Sequence, residues 1–250
     1  MHTETGANEW LLVGDHLDHQ ASSLVVYGGQ LYCGTSWNGG RLYRLDGTFR
    51  WSRVVDHRDP GGWYGFRSAY AWTDGWLYLG DMQYDIIGRY DGENFFHITH
   101  LRGSCIWDFA SHGGELYASA YRGKMYKSSD GITWETVVSY GTSNIWELEV
   151  FDGALYMGLG DGMLMRYDGV RDGVTIITGL WTEPDGNGII SMVAGPQKKL
   201  FFGVGGEAGY YSSMTGNGRV YSYDGKKAPE EVGTAELELG TGVQVLYNAG

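Results

Sequence analysis

Short apolar runs separated by Gly-rich turns recur along the whole of this 250-residue chain. Four of them fall within residues 104–140: SCIWDFAS, ELYASAY, KMYKSS and TWETVVSY. Each has the length and the alternating or continuous apolar character of a strand, and no stretch sustains a helical period. The segment predicts four consecutive strands, A to D, with an Asp-Gly hairpin signal between C and D. The same order returns four more times. A Leu followed by Tyr or Phe stands at Leu31, Leu77, Leu116, Leu155 and Leu200, at intervals of 46, 39, 39 and 45 residues. Asp-Gly follows at Asp46, Asp91, Asp130, Asp168 and Asp224, after 13 to 15 residues in the first four copies and 24 in the fifth.

Self-similarity at this period, with four strands per unit, predicts an all-β chain forming a single β-propeller of four-stranded blades. Five blades are expected, with modules near 21–66, 67–103, 104–142, 143–187 and 188–236 in one domain spanning 1–250. A strand at 9–14, in EWLLVG, is expected to close the ring in the sheet of the last module. Six blades are the alternative, because Leu246 and Tyr247 repeat the pair 46 residues after Leu200.

Composition narrows the class. Hydrophobic residues make up 42%, enough for a core, while Gly is high at 42 and Pro low at 4. The glycines lack a triplet period and cluster at turns. The 10 Trp and 19 Tyr suit strands and also supply rings for ligand stacking. A net charge of −12 argues against nucleic acid as a partner. No apolar run reaches membrane-span length, and the opening MHTETGANEW has neither part of a signal peptide. A soluble chain, extracellular rather than intracellular, is the expectation. Cys33 and Cys105 are too few for a disulfide scaffold and are expected to pack as small apolar residues, one bridge between them remaining open.

The stretch YKSSDGITWE resembles the Asp-box of the sialidase-like propellers, through Ser128, Asp130, Gly131, Thr133 and Trp134, with one residue fewer between Asp and Gly. The other copies keep only the Asp-Gly and, in DGTFRW, an aromatic. The resemblance implies the propeller fold and no sialidase chemistry, since Asp-boxes lie on blade edges away from the catalytic mouth. Five blades with a sugar-binding role are also similar in architecture to tachylectin-type lectins.

Function is sought where the repeats differ. Counting eight residues back from each Leu gives Ser23, Ala69, Asp108, Glu147 and Met192 on the A strands, so two neighbouring blades bring carboxylates toward the axis. Two residues further back stand Ala21, Arg67, Ile106, Ile145 and Ile190, with Arg67 the sole charge. Asp108 and Glu147 would be the catalytic pair if the protein were a glycosidase; as a channel lining they would instead be solvated or paired with Arg67. The D-to-A crossovers and B-to-C loops should converge on one mouth. Trp37, Asn38, His57, Trp63, Tyr64, Arg67, Tyr84, Asp85, Trp107, Tyr121, Arg122 and Trp146 are the expected ligand-binding residues there. Flat rings interleaved with Asn, Asp and Arg suit a carbohydrate or another polar ligand.

No cofactor and no metal are expected. His16, His19, His57 and His100 would be the candidates for a divalent ion, but His-x-x-His in a strand turns its two rings to opposite faces. The sequence therefore favours a carbohydrate-binding, lectin-like propeller. A glycan-active enzyme, either a hydrolase with paired carboxylates or a metal-assisted lyase, is the alternative. A protein-interaction scaffold is the second alternative.

Overall fold

In a computed structural model of the chain, the described residues are 17, 20–36, 39–47, 49–57, 65–82, 86–101, 105–141, 143–179, 187–206 and 218–235. They form five antiparallel sheets of four strands, each sheet built from consecutive strands. The first holds β1 (Gln20–Tyr27), β2 (Gln30–Ser36), β3 (Gly40–Leu45) and β4 (Trp51–His57), and the second β5 (Phe66–Ala71), β6 (Leu77–Asp81), β7 (Ile86–Tyr90) and β8 (Phe95–His100). The third holds β9 (Ile106–His112), β10 (Glu115–Ala120), β11 (Lys124–Ser128) and β12 (Glu135–Ser139). The fourth holds β13 (Ile145–Phe151), β14 (Ala154–Leu159), β15 (Met163–Tyr167) and β16 (Val174–Gly179). The fifth holds β17 (Asn187–Gly195), β18 (Lys199–Gly206), β19 (Gly218–Tyr223) and β20 (Glu230–Ala235). Two 3-10 turns, Tyr121–Gly123 and Pro196–Lys198, are the helical content of the described residues. The Leu pairs lie on the second strand of every sheet and the Asp-Gly turns between the third and fourth, as the sequence predicts. The closing strand expected at 9–14 lies outside the described residues, and the outermost place in the fifth sheet is held by β20 of its own module.

The sheets stack through their faces in sequence order. β1 packs on β5, β5 on β9, β9 on β13 and β13 on β17, and four apolar cores lie between successive sheets. The second-strand leucines anchor them: Leu77, Leu116, Leu155 and Leu200 are all completely buried. The Tyr after each of the first four Leu joins a recurring aromatic cluster at the turn end of the interface. Tyr32 meets Tyr27 and, from the next sheet, Tyr90, with ring centroids 5.8 and 6.1 Å away. Tyr156 meets Phe151 and Tyr223 in the same way, at 5.9 and 6.0 Å. Much of the tyrosine surplus is thus inter-sheet packing and not a set of ligand platforms.

The Asp of the Asp-Gly turn has a structural task that the Asp-box copy shows best. Asp130 Oδ1 accepts the backbone N–H groups of Ile132 and Thr133 and the Ser128 hydroxyl, at 2.8, 2.7 and 3.0 Å. Asp91 and Asp224 each accept two N–H groups of their own turns. These N–H groups hold the Asp130 carboxyl down at about 2. Because that pKa lies below the unfolded value, the stabilisation is present above pH 4 and lost as the pH falls through 2. Asp130→Ala is expected to melt at a lower temperature than wild type at pH 7, with the gap closing between pH 4 and 2. Parallel melting curves over that range would contradict this.

Cys33 and Cys105 form no disulfide, and Cys33 is buried as expected. No helix among the described residues is long and apolar enough to cross a membrane.

Candidate functional site

Every first strand carries a β-bulge at the same level, which leaves one residue out of the pairing with the second strand: Ser22, Arg67, Trp107, Trp146 and Ile190. A bulge re-aims a side chain and bends its strand. Three consecutive sheets therefore place Arg67, Trp107 and Trp146 where the other two place Ser and Ile. The Arg67 guanidinium lies 5.4 Å from the centroid of the Trp107 ring. The Trp107 and Trp146 rings are 6.3 Å apart at 59°. All three side chains are half-buried. Trp146 is seated closely: a Cβ at Gly160 or Gly188 would land on its indole, so these two glycines make room for the ring.

The pairing also corrects the ring read by counting. The A-to-B turns of the second and fifth sheets are one residue longer than the rest, since Ala71 pairs with Leu77 and Ala194 with Leu200, whereas Val26 pairs with Leu31. The equivalents of Asp108 and Glu147 are therefore Ser23, Ser68 and Ser191, not Ala69 and Met192. Opposite these five positions stand Gly34, Gly80, Ser119, Gly158 and Gly203. For the same reason Arg67 belongs to the bulge ring, and its place in the next ring is taken by the buried Phe66.

The two carboxylates bridge neighbouring first strands. Asp108 Oδ2 accepts the backbone N–H of Leu148 on the next sheet at 2.8 Å, and Oδ1 that of Phe109 at 2.8 Å. Glu147 accepts the N–H of Met192, and Glu149 that of Ala194, each again on the following sheet. Burial pushes Asp108 up to about 7, against these N–H groups and the Arg67 charge. Burial raises Glu147 well above its ordinary value, and the Asp108 charge adds to this. Structural pairs perturb pKa values as catalytic ones do. Here both Asp108 oxygens are directed at N–H donors, the arrangement of a strut and not of an acid facing a substrate.

The remaining predicted residues divide clearly. Tyr121 and Arg122 form the tight B-to-C turn of the third sheet, with Arg122 at φ 57° and its N–H donated to Asn144 Oδ1 at 3.0 Å. Tyr121 is 40% exposed, and the Arg122 guanidinium lies 5.4 Å from its ring centroid. His57 packs in an aromatic group with His97, Phe95 and Phe66, at 4.5, 5.8 and 6.3 Å. His16, His19, Trp37, Asn38, Trp63, Tyr64, Tyr84 and Asp85 lie outside the described residues, as does the side chain of His100. Among the described residues no group of three or more His, Cys, Asp or Glu could hold a metal ion.

Counting residues missed Glu149, whose signal was present in the run WELEV: alternate positions of one strand share a face. It also missed a groove of about 590 Å³ between the first two sheets at the A-to-B turn end, lined by Tyr27, Tyr32, Arg44, Trp72 and Asp91. Its polar groups are already engaged, Arg44 with Asp46 at 2.7 Å and the Tyr27 hydroxyl with the Gly75 carbonyl at 2.9 Å.

No protein-family model matches the chain, and no curated protein matches it in sequence. Solved structures do match. The extracellular domain of the one-component system BT4673 from B. thetaiotaomicron aligns with a TM-score of 0.63 at 15% identity, over 93% of this chain and 29% of that one. A catalytically inactive virginiamycin B lyase from Staphylococcus aureus, with quinupristin, aligns with a TM-score of 0.59 at 11% identity, over 84% and 83%. The WD40 beta propeller domain of Doa1 aligns with a TM-score of 0.56 at 11% identity, over 88% and 83%. The chain thus spans under a third of the BT4673 domain. At these identities the likeness concerns architecture, and with five successive four-stranded sheets it shows that the chain is a β-propeller.

Proposed function

We propose that this propeller is a binding protein that takes a carbohydrate, or a similar polar ligand with a flat apolar face, at Arg67, Trp107 and Trp146. The observation that carries this is the bulge ring, where three successive sheets substitute two indoles and a guanidinium for Ser22 and Ile190. Indole faces stack on the C–H face of a sugar, and the guanidinium supplies donors for its hydroxyls or a carboxylate. The axial carboxylates favour binding over glycoside hydrolysis, because Asp108 and Glu147 already accept N–H groups of the next strand. The similar BT4673 structures are of one extracellular domain, in keeping with an extracellular setting for glycan recognition.

A protein partner is the second reading, favoured by the exposed Tyr121 with Arg122 against it, since Tyr and Arg are enriched at interface hot spots. A glycan array followed by calorimetric titration of its hits tests both. Trp107→Ala and Arg67→Ala should each weaken a glycan hit several-fold, in line with the roughly 0.5–1.5 kcal/mol of an aromatic contact beyond area burial. Tyr121→Ala should leave it unchanged. An array without hits, or hits insensitive to both axial variants, overturns the carbohydrate reading.

A further inference from the structure

The first sheet is the exception to the packing rule. Leu24 and Val26 on β1 are each 65% exposed. The residues equivalent to Leu24 in the third, fourth and fifth sheets are Phe109, Leu148 and Met192, exposed by 3%, 4% and 6% and packed in the core shared with the preceding sheet. Ala21, on the same face, is exposed where Phe66, Ile106, Ile145 and Ile189 are buried. Leu31 is half-buried where its four counterparts are fully buried. Among the described residues no sheet packs on this face, and β17 makes no comparable contact with β1. The exposure is narrow, because Cys33 and Thr35, paired with Leu24 and Ala21 on β2, are buried at 1% and 0%. A stripe one strand wide needs one strand to cover it.

We propose that residues 242–247, GVQVLY, form a sixth first strand that lies along β1 and covers Ala21, Leu24 and Val26, filling the axial position between β17 and β1. Spacing supports the assignment. Between a fourth strand and the next first strand the described sheets leave residues 58–65, 101–105, 140–144 and 180–186, and 236–241 falls within that range. So does the pattern. An aromatic stands just before the turn in three of the five sheets, with Tyr27 and Phe151 ending β1 and β13 and Trp72 directly following β5, and Tyr247 before Asn248 matches that place. With Tyr247 aligned on Tyr27, Val245 aligns on Val25 and Leu246 on Val26. Val25 and Tyr27 pack forward in the core shared with the following sheet. Val245 and Tyr247 then face β1, and Leu246 turns back toward the fifth sheet. The segment carries no charge and has apolar groups on both faces, as a strand buried on both sides requires.

The test is photo-crosslinking of the full chain with p-benzoylphenylalanine at position 24, read by peptide mass spectrometry on a mixture of isotopically light and heavy protein. The expected product is an intrachain link from position 24 to residues 242–247, lost in Val245→Asp with Tyr247→Asp while the described sheets keep their circular dichroism. Light–heavy links would show a second copy on this face and overturn the proposal. Links to residues 1–19, or no link at all, would overturn it as well.

Discussion

Leu155→Ala should lower the unfolding free energy by about 2–5 kcal/mol, the range for emptying a fully buried leucine site in a core that collapses incompletely. Leu155 is completely buried between the third and fourth sheets among Met125, Met157 and Val138. Its counterpart Leu31 occupies the same place in the repeat but is only half-buried. Leu31→Ala should therefore cost much less, about 1 kcal/mol, because less apolar area returns to water. Urea unfolding of the two variants beside wild type gives the comparison directly. Equal losses would mean that Leu31 is packed as completely as Leu155, and would contradict its half-buried setting. Because repeat proteins unfold through neighbouring interfaces, a broadened transition in Leu155→Ala is an additional mark of the same packing.

The repeat was legible because the turns demand particular chemistry. Asp at the C-to-D hairpin supplies the acceptor for two N–H groups, as Asp91, Asp130 and Asp224 show, so it recurs whatever the strands contain. The second-strand Leu recurs because each inter-sheet core needs a group of that volume. Two things were hidden. The register of the first strands depends on the A-to-B turn length, and one extra residue in TDGW and GPQKK shifted Ser68 and Ser191 out of the counted ring. Hairpin pairing fixes register through the turn, so a count made from the second strand inherits any change in it. The bulges were hidden too, because a bulge has no residue signature of its own: Ser22, Arg67, Trp107, Trp146 and Ile190 share a backbone position and no side-chain property. The paired carboxylates were legible as types and misread as to task. Their partners are backbone N–H groups of the next sheet, contacts that residue spacing within one strand does not encode.

Glu147→Gln should make the protein more stable than wild type at pH 8 and leave it nearly unchanged at pH 4. Asp108, Glu147 and Glu149 are raised by burial, Asp108 from 3.8 to about 7, with Arg67 opposing the rise at the first two. A carboxyl whose folded pKa exceeds its unfolded value holds its proton more tightly in the folded state. Its stabilisation is complete below the unfolded pKa and is lost as the pH rises through the folded one. Between pH 4 and 7 the axial cluster therefore weakens the fold. A tenfold difference in proton affinity between the folded and unfolded states is worth about 1.4 kcal/mol, so the cluster as a whole changes stability by a few kcal/mol over that window. Asp91, Asp130 and Asp224 act the opposite way but at lower pH, since turn N–H groups depress all three. The amide of Gln retains an acceptor oxygen for the Met192 N–H and carries no charge to repel Asp108. Asp108→Asn is different, because its Nδ2 would meet one of two backbone N–H donors, leaving that donor unpaired at a cost of about 1–3 kcal/mol at every pH. Denaturant unfolding of wild type and both variants at pH 4, 6 and 8 separates these outcomes. If the Glu147→Gln difference is flat with pH, these half-buried carboxylates are not desolvated struts, and an open, solvated channel lining replaces them.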